Sequence, residues 1–113
     1  MASVTRQYQD FILDLLSPLE PLPRRMFSGV GLFSGGVMFG LLVRDTFYLR
    51  VSDATRAQFE SAGSLPFSYN RAGRMVSLAA YYEVPEGLLD QPEELLQWAR
   101  GAIAAAREVK RRR

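Results

Sequence analysis

Between residues 24 and 51 the chain carries three apolar runs separated by two short turn signals, and this block restricts the fold more than any other feature. Met26–Phe33 leads into Ser34-Gly35-Gly36, Val37–Arg44 leads into Asp45-Thr46, and Phe47–Val51 follows. Links this short join antiparallel neighbours, because a parallel crossover needs a dozen or more residues. Glycine supplies the positive φ that tight turns demand. The block therefore predicts a three-stranded meander. In its third strand Phe47, Leu49 and Val51 point one way and Tyr48 and Arg50 the other.

The flanking segments switch period. Val4, Tyr8, Phe11, Ile12, Leu15, Leu16 and Leu19 follow the i, i+3, i+4, i+7 spacing of one apolar helix face. Ser3 or Thr5 is placed to cap that helix, and Pro18, Pro21 and Pro23 end it. Asp53 caps a short helix over Ala54–Ala62, stopped by Gly63. Phe67–Arg71 and Arg74–Val84 form a hairpin around Ala72-Gly73, with Val76, Leu78, Ala80, Tyr82 and Val84 on one face and Met75, Ser77, Ala79, Tyr81 and Glu83 on the other. Asp90 begins the last helix, with Pro92 in its first turn and Glu93 set for a capping box. Leu95, Trp98, Ala99, Ala102, Ile103 and Ala106 form the stripe of that helix, which puts Trp98 in the core. The order α-βββ-α-ββ-α over 113 residues predicts one α+β domain spanning 1–113. It has two layers, an antiparallel sheet with helices mainly on one face.

Helices on one face leave the other face of the sheet open. The second strand places Phe39, Leu41 and Val43 on one side, yet Met38 and Leu42 on the other beside Gly40. Tyr48, Met75 and Tyr81 are assigned to that outer face. It reads as a surface for a protein partner or a second copy of the chain, a homodimer; the alternative is a face covered by a loop or tail. Tyr81-Tyr82 straddles the sheet, so at most one ring is core and the other is an interface candidate.

The chemistry available is narrow. The sequence has no Cys and no His, which excludes disulfides, thiol nucleophiles, imidazole bases and the common zinc sites. Gly29-Val30-Gly31-Leu32-Phe33-Ser34 resembles a phosphate loop but leads into a strand instead of a helix, and the sequence's one lysine is Lys110. Its glycines are read as relieving crowding or forming an edge-strand bulge. The carboxylates Asp10 and Asp14, or Asp90 and Glu94, are one helical turn apart and read as solvated surface. No catalytic, cofactor-binding or metal residue is assigned, and no cofactor. Arg24-Arg25, Arg50, Arg71 and Arg74 lie on or beside strands, where they protect edges or meet a partner's anions. The interaction candidates are Arg24, Arg25, Met38, Leu42, Tyr48, Arg50, Arg74 and Tyr81.

A formal charge of +2 and an isoelectric point near 9.3 suggest nucleic acid. Arg111, Arg112 and Arg113 supply three of the positive charges, so the rest of the chain sums to −1. With Arg107 they end a helix whose first turn carries Glu93 and Glu94, an arrangement that complements the helix dipole. Nucleic-acid contact through Arg107, Lys110, Arg111, Arg112 and Arg113 is the second reading of this basic tail, residues 110–113. A small-ligand binder or enzyme using Arg, Tyr and carboxylates is the third. Charged Arg6, Asp10 and Asp14 break up the N-terminal segment, so it does not read as a secretory signal, and the longest apolar run is too short to span a bilayer. A cytoplasmic chain with no membrane partner is expected.

Arg25-Met26-Phe27-Ser28-Gly29-Val30-Gly31-Leu32-Phe33 resembles the R-M-F-G-G-x-G-hydrophobic-aromatic opening of the TfoX/Sxy N-terminal domain family. Val37-Met38-Phe39-Gly40-Leu41, Phe47-Tyr48-Leu49-Arg50-Val51, Pro66-Phe67-Ser68-Tyr69 and Tyr81-Tyr82-Glu83-Val84-Pro85 match further family segments in order, with Ala62-Gly63 before the third. Ser28 stands where glycine is common and Arg50 where lysine is common. The resemblance covers roughly residues 8–107. It implies an antiparallel α+β domain similar to secretion-chaperone-like folds. It also implies a relation to bacterial regulators of natural competence that act on transcription together with the cyclic-AMP receptor protein and normally carry a second, C-terminal domain. This chain is read as the N-terminal domain standing alone. The resemblance carries over no catalytic residue. The reading is a non-enzymatic protein-interaction and regulatory module.

Overall fold

The computed structural model describes residues 4–26 and 29–111. It is an α+β fold built on one antiparallel sheet of six strands: β1 Leu22–Met26, β2 Gly29–Ser34, β3 Val37–Val43, β4 Thr46–Arg50, β5 Pro66–Arg71 and β6 Arg74–Glu83. Their order across the sheet is β1-β2-β3-β4-β6-β5. The helices are α1 Arg6–Leu15, α2 Asp53–Ser61 and α3 Pro92–Arg111, with short 3-10 turns at Ser17–Leu19 and Glu86–Asp90.

The predicted meander exists but gains a strand. Leu22–Met26 forms an edge strand paired to β2, so Met26 belongs to β1 and the strand expected from Met26 to Phe33 is β2 from Gly29, residues 27–28 lying outside the described residues. Pro23 is tolerated there because an edge strand has one unpaired side. The hairpin links are two-residue turns with positive φ at both positions: Gly35-Gly36, Arg44-Asp45 and Ala72-Gly73. That is the type I′ geometry whose twist matches the flanking strands. The β3–β4 turn therefore sits one residue earlier than Asp45-Thr46. Asp45 also anchors α1, its carboxylate accepting from the Thr5 backbone N–H at 2.8 Å and from the Thr5 hydroxyl at 3.0 Å. Thr5 in turn caps α1 at the Tyr8 N–H. Two helix starts differ from expectation. Ser52, not Asp53, caps α2 through a reciprocal bond with Thr55. Asp90 belongs to the preceding 3-10 turn, so α3 begins after Gln91, whose carbonyl accepts from the Leu95 N–H.

All three helices pack on one face of the sheet. Ile12 and Leu16 of α1, Phe59 of α2 and Leu95, Ala99 and Ala102 of α3 meet Val30, Leu32, Phe39, Phe47 and Leu49 in one core. Trp98 is half-buried against it, edge-on to Phe59 at 4.7 Å. Gly40 belongs to the same face: a Cβ there would lie 3.3 Å from both Leu32 and Phe47 side chains.

The side-chain alternation reverses twice. Leu32 pairs with Gly40 and Phe33 with Met38, leaving Phe39 as an extra residue in β3. Such a bulge shifts everything beyond it to the opposite face. Val37, Phe39 and Leu42 consequently enter the helix-side core, while Leu41 and Val43 point outward. The expectation that Phe39, Leu41 and Val43 share a face is corrected, as is the placement of Leu42 outside; Leu42 is fully buried. In β6, Pro66 pairs with Tyr82 and Phe67 with Leu78, so Ala79, Ala80 and Tyr81 are extra. Tyr82 faces the helices and Leu78 does not, contrary to the expected shared face.

Candidate interaction site

The outer face of the sheet is not bare. Beyond the β6 bulge the β5–β6 hairpin folds back over it, so that Phe67 and Tyr69 of β5 reach Leu41 and Val43 of β3, with two strands between them in the sheet. Phe67 meets Tyr48 edge-on at 5.0 Å and stacks with Tyr69 at 5.8 Å. Tyr81 is buried in this second core and its hydroxyl donates to the Met38 carbonyl at 3.2 Å. Both members of the Tyr81-Tyr82 pair are therefore buried, on opposite faces, where one exposed ring was expected; Tyr82 donates to Glu60 at 2.8 Å. Burial pushes the Tyr81 phenol up, against the opposing pull of Arg50. Burial also raises the Tyr48 phenol, and Glu83 adds to the shift.

The hairpin does not close completely on the sheet. A cleft of about 420 Å³ remains, walled by Met26, Met38, Leu41, Phe67, Leu78 and Tyr81, with exposed Arg44 also lining it. Gly31 leaves room for two of those walls: a Cβ there would lie 2.7 Å from the Met26 sulfur and 2.8 Å from the Met38 sulfur. Methionine thioethers are unbranched and adapt to irregular apolar surfaces.

On the other side of Met38 and Tyr81 lies a second cleft, about 390 Å³, where the end of α3 crosses the sheet. Val37, Val109 and Ala106 line it together with two cations, Arg50 and Lys110. The Arg50 guanidinium stands over the Tyr81 ring at 5.4 Å, and its Nε is buried without an acceptor. Arg107 and Lys110 overhang the β2–β3 turn, each 3.7 Å from where a Cβ on Gly35 or Gly36 would be. A third concavity, about 680 Å³, is a shallow depression between exposed Gln91, Pro92, Glu93, Glu94 and Gln97 at the start of α3, and it offers no buried group. Among the described residues, no three Asp or Glu side chains converge on a point that suits a metal ion.

Of the expected interaction residues, Met38, Tyr48, Arg50 and Tyr81 are brought together. Arg24 joins the same face through the Phe33 ring, 4.9 Å away. Leu42 is excluded by the β3 bulge, Arg25 is exposed on edge strand β1, and Arg74 sits beside Arg71 at the hairpin tip. Arg107, Lys110 and Arg111 are exposed along the last turns of α3, while Arg112 and Arg113 lie outside the described residues. Met26, Arg44, Phe67, Tyr69 and Leu78 complete the site without having been singled out. The alternation of Phe67 and Tyr69 marks one apolar face of β5, but only the fold-back shows where that face goes.

Among the described residues, no helix is long and apolar enough to cross a membrane. The profile of the TfoX N-terminal domain matches residues 14–106. A curated relative, DNA transformation protein TfoX1 of Aliivibrio fischeri, is 31% identical over 84 residues, which cover 74% of this chain and 40% of that protein. The chain thus matches less than half the length of that relative. With most of its length matched by the family profile, the chain belongs to the TfoX N-terminal domain family.

Proposed function

We propose that this chain is a non-enzymatic protein-interaction module of a competence-related regulatory family, and that a segment of a protein partner docks on the outer sheet face with an apolar side chain in the Met26–Met38–Phe67 cleft. The cleft between hairpin and sheet is the observation that carries the reading. Its walls are apolar and adaptable, and its size suits one large side chain. A segment fits better than a second copy of the chain. The hairpin already occupies the centre of the face, and a stable dimer needs roughly 800 Å² of complementary surface per partner. The exposed large apolar residues Phe11, Leu22, Leu65, Met75 and Val109 are spread over different elements instead of forming one such patch. The relative's name links it to DNA transformation, and a role for this module in regulating transcription there is part of the same proposal.

Selection of random peptides on the full chain tests the reading. Enriched peptides should share a large apolar residue and lose binding to Leu78→Glu, which alters an exposed wall of the cleft. Light scattering should give a monomer. Absence of enrichment, binding indifferent to Leu78→Glu, or a dimer that Leu78→Glu dissociates would refute it.

A further inference from the structure

From the second cleft we infer that the partner segment carries a carboxylate, held by Arg50 and Lys110, beside its apolar anchor. This rests on the docking proposed above and adds the chemistry of the residue that follows the anchor. Arg50 is the central observation. Its position in β4, opposite Tyr81 of β6, directs it to the outer face. There the side chain is half-buried, its Nε is cut off from water with no acceptor, and among the described residues it forms no ion pair. With Nε closed off from water, the guanidinium has lost part of its hydration and meets only the ring and phenol of Tyr81 in exchange, with no charged acceptor. An arriving oxyanion restores what burial removed, and a planar fork suits the two oxygens of a carboxylate.

The surroundings favour a carboxylate on a peptide over a nucleic-acid backbone. Val37, Ala106 and Val109 make the remaining walls apolar, so the cleft accepts one charge attached to an apolar body. A backbone-tracking site would instead need a row of cations along an open groove. Lys110, on the opposite wall, supplies a second positive charge without a fixed geometry. Met38 and Tyr81 line both clefts and form the ridge between them. One extended segment crossing that ridge places an apolar side chain on one side and an acidic one on the other. Neighbouring side chains of an extended strand point to opposite faces, so the two anchors would be two residues apart, on the same face.

The test is an NMR titration of the full chain with the peptide acetyl-Ala-Leu-Ala-Glu-Ala-amide, which spaces one leucine and one glutamate two residues apart, its glutamine counterpart, and inorganic phosphate. The Nε–H signal of Arg50 reports the second cleft, and the methyl signals of Met26, Leu41 and Leu78 report the first. The acidic peptide should shift the Arg50 signal saturably and bind about tenfold more tightly than the glutamine peptide, the effect expected for one hydrogen-bonded charge. Lys110→Gln, at an exposed helix position, should weaken that preference severalfold without unfolding the chain, and added salt should do the same. Arg50→Lys should retain part of it. Methyl shifts that are equal for both peptides, with Arg50 unmoved, would leave the docking reading standing and overturn the carboxylate site. An Arg50 shift with the methyl signals silent would keep the anion site and overturn the docking. Saturation by phosphate but not by the acidic peptide would identify a phosphate site and overturn the peptide assignment.

Discussion

Phe67→Ala is the substitution that tests whether the hairpin is part of the folded unit. Phe67 is 7% exposed and holds β5 against Leu41, Val43 and Tyr48. Deleting a core phenylalanine usually costs about 3–5 kcal/mol, of which about 1.5–3 is the transfer of the ring from water and the rest the cavity left behind. Here the second core is a single layer beside an open cleft of about 420 Å³, so water enters the gap and the cavity contribution largely disappears. The transfer part remains, with about 0.5–1.5 kcal/mol for the edge-to-face contact with Tyr48. The expected loss is therefore about 2–4.5 kcal/mol, or roughly 10–20 °C in Tm for a chain of this size.

Urea unfolding followed by Trp98 fluorescence measures it, since Trp98 packs against Phe59 in the helix-side core and reports global unfolding. Phe59→Ala is the internal standard. Phe59 is 1% exposed between Tyr82 and Trp98, and its loss should cost about 4 kcal/mol. Amide exchange should show the β5–β6 strands of the Phe67 variant opening before the rest of the sheet. A loss below about 1 kcal/mol for Phe67→Ala, with hairpin amides already unprotected in the parent, would refute the second core and with it the cleft.

Three other outcomes follow from local geometry. Gly29→Ala should cost about 1–3 kcal/mol in urea unfolding, because its Cβ would lie 2.6 Å from the Leu42 carbonyl oxygen, whereas Gly31→Ala has its closest contacts with two flexible methionine ends, with the Phe33 ring at 3.1 Å, and should cost less. Tyr8 is pushed up to about 12 by burial first and by Asp45 next, so the folded chain holds that proton more tightly than the unfolded one; stability is intact below pH 10 and falls as pH rises towards 12. The full shift would be worth about 2.7 kcal/mol, discounted to roughly 1–1.5 for a half-buried ring, and urea melts of Tyr8→Phe across that range should show the fall reduced by this amount. Asp45→Ala should lose about 1–2 kcal/mol by removing both bonds that tie α1 to the β3–β4 turn, and a double-mutant cycle with Thr5→Ala should return a coupling near 1 kcal/mol for the hydroxyl bond alone, because Thr5→Ala keeps the backbone N–H.

Local signals in the sequence located most of the elements. The spacing of Ile12 and Leu16 found the buried face of α1, although Phe11 of the same stripe is 46% exposed, beside the Tyr8 ring. Glycine and aspartate found the turns within a residue. The alternation of Phe47, Leu49 and Val51 against Tyr48 and Arg50 held because β4 has no bulge in its register with β3 or β6. Edge strand β1 escaped notice because Leu-Pro-Arg-Arg-Met has neither alternation nor β-branched residues; its pairing with β2 supplies the conformation. The candidate site was legible in part for the same reason. Met38, Tyr48, Arg50 and Tyr81 lie on the correct side of their bulges, whereas Leu42 and Leu78 lie beyond one.

Those two bulges also explain why the outer face became a pair of clefts. Each adds an odd number of residues to one strand, one in β3 and three in β6, and an odd insertion exchanges the two faces for the remainder of the strand. Without the Phe39 bulge, Leu41 and Val43 would point at the helices, and Leu42 beside Gly40 would replace both of them on the face the hairpin covers. Without the β6 bulge, Leu78 would share the face of Tyr82, and the strand would continue flat instead of turning back. Neither irregularity makes the second core alone. A chain with the same composition and regular alternation would satisfy the helix-side core equally well and present a flat sheet. The clefts around Met38 and Tyr81 are therefore a product of register: of the residues that set it, Phe39, Ala79 and Ala80 line neither cleft, while Tyr81 is the ridge between them.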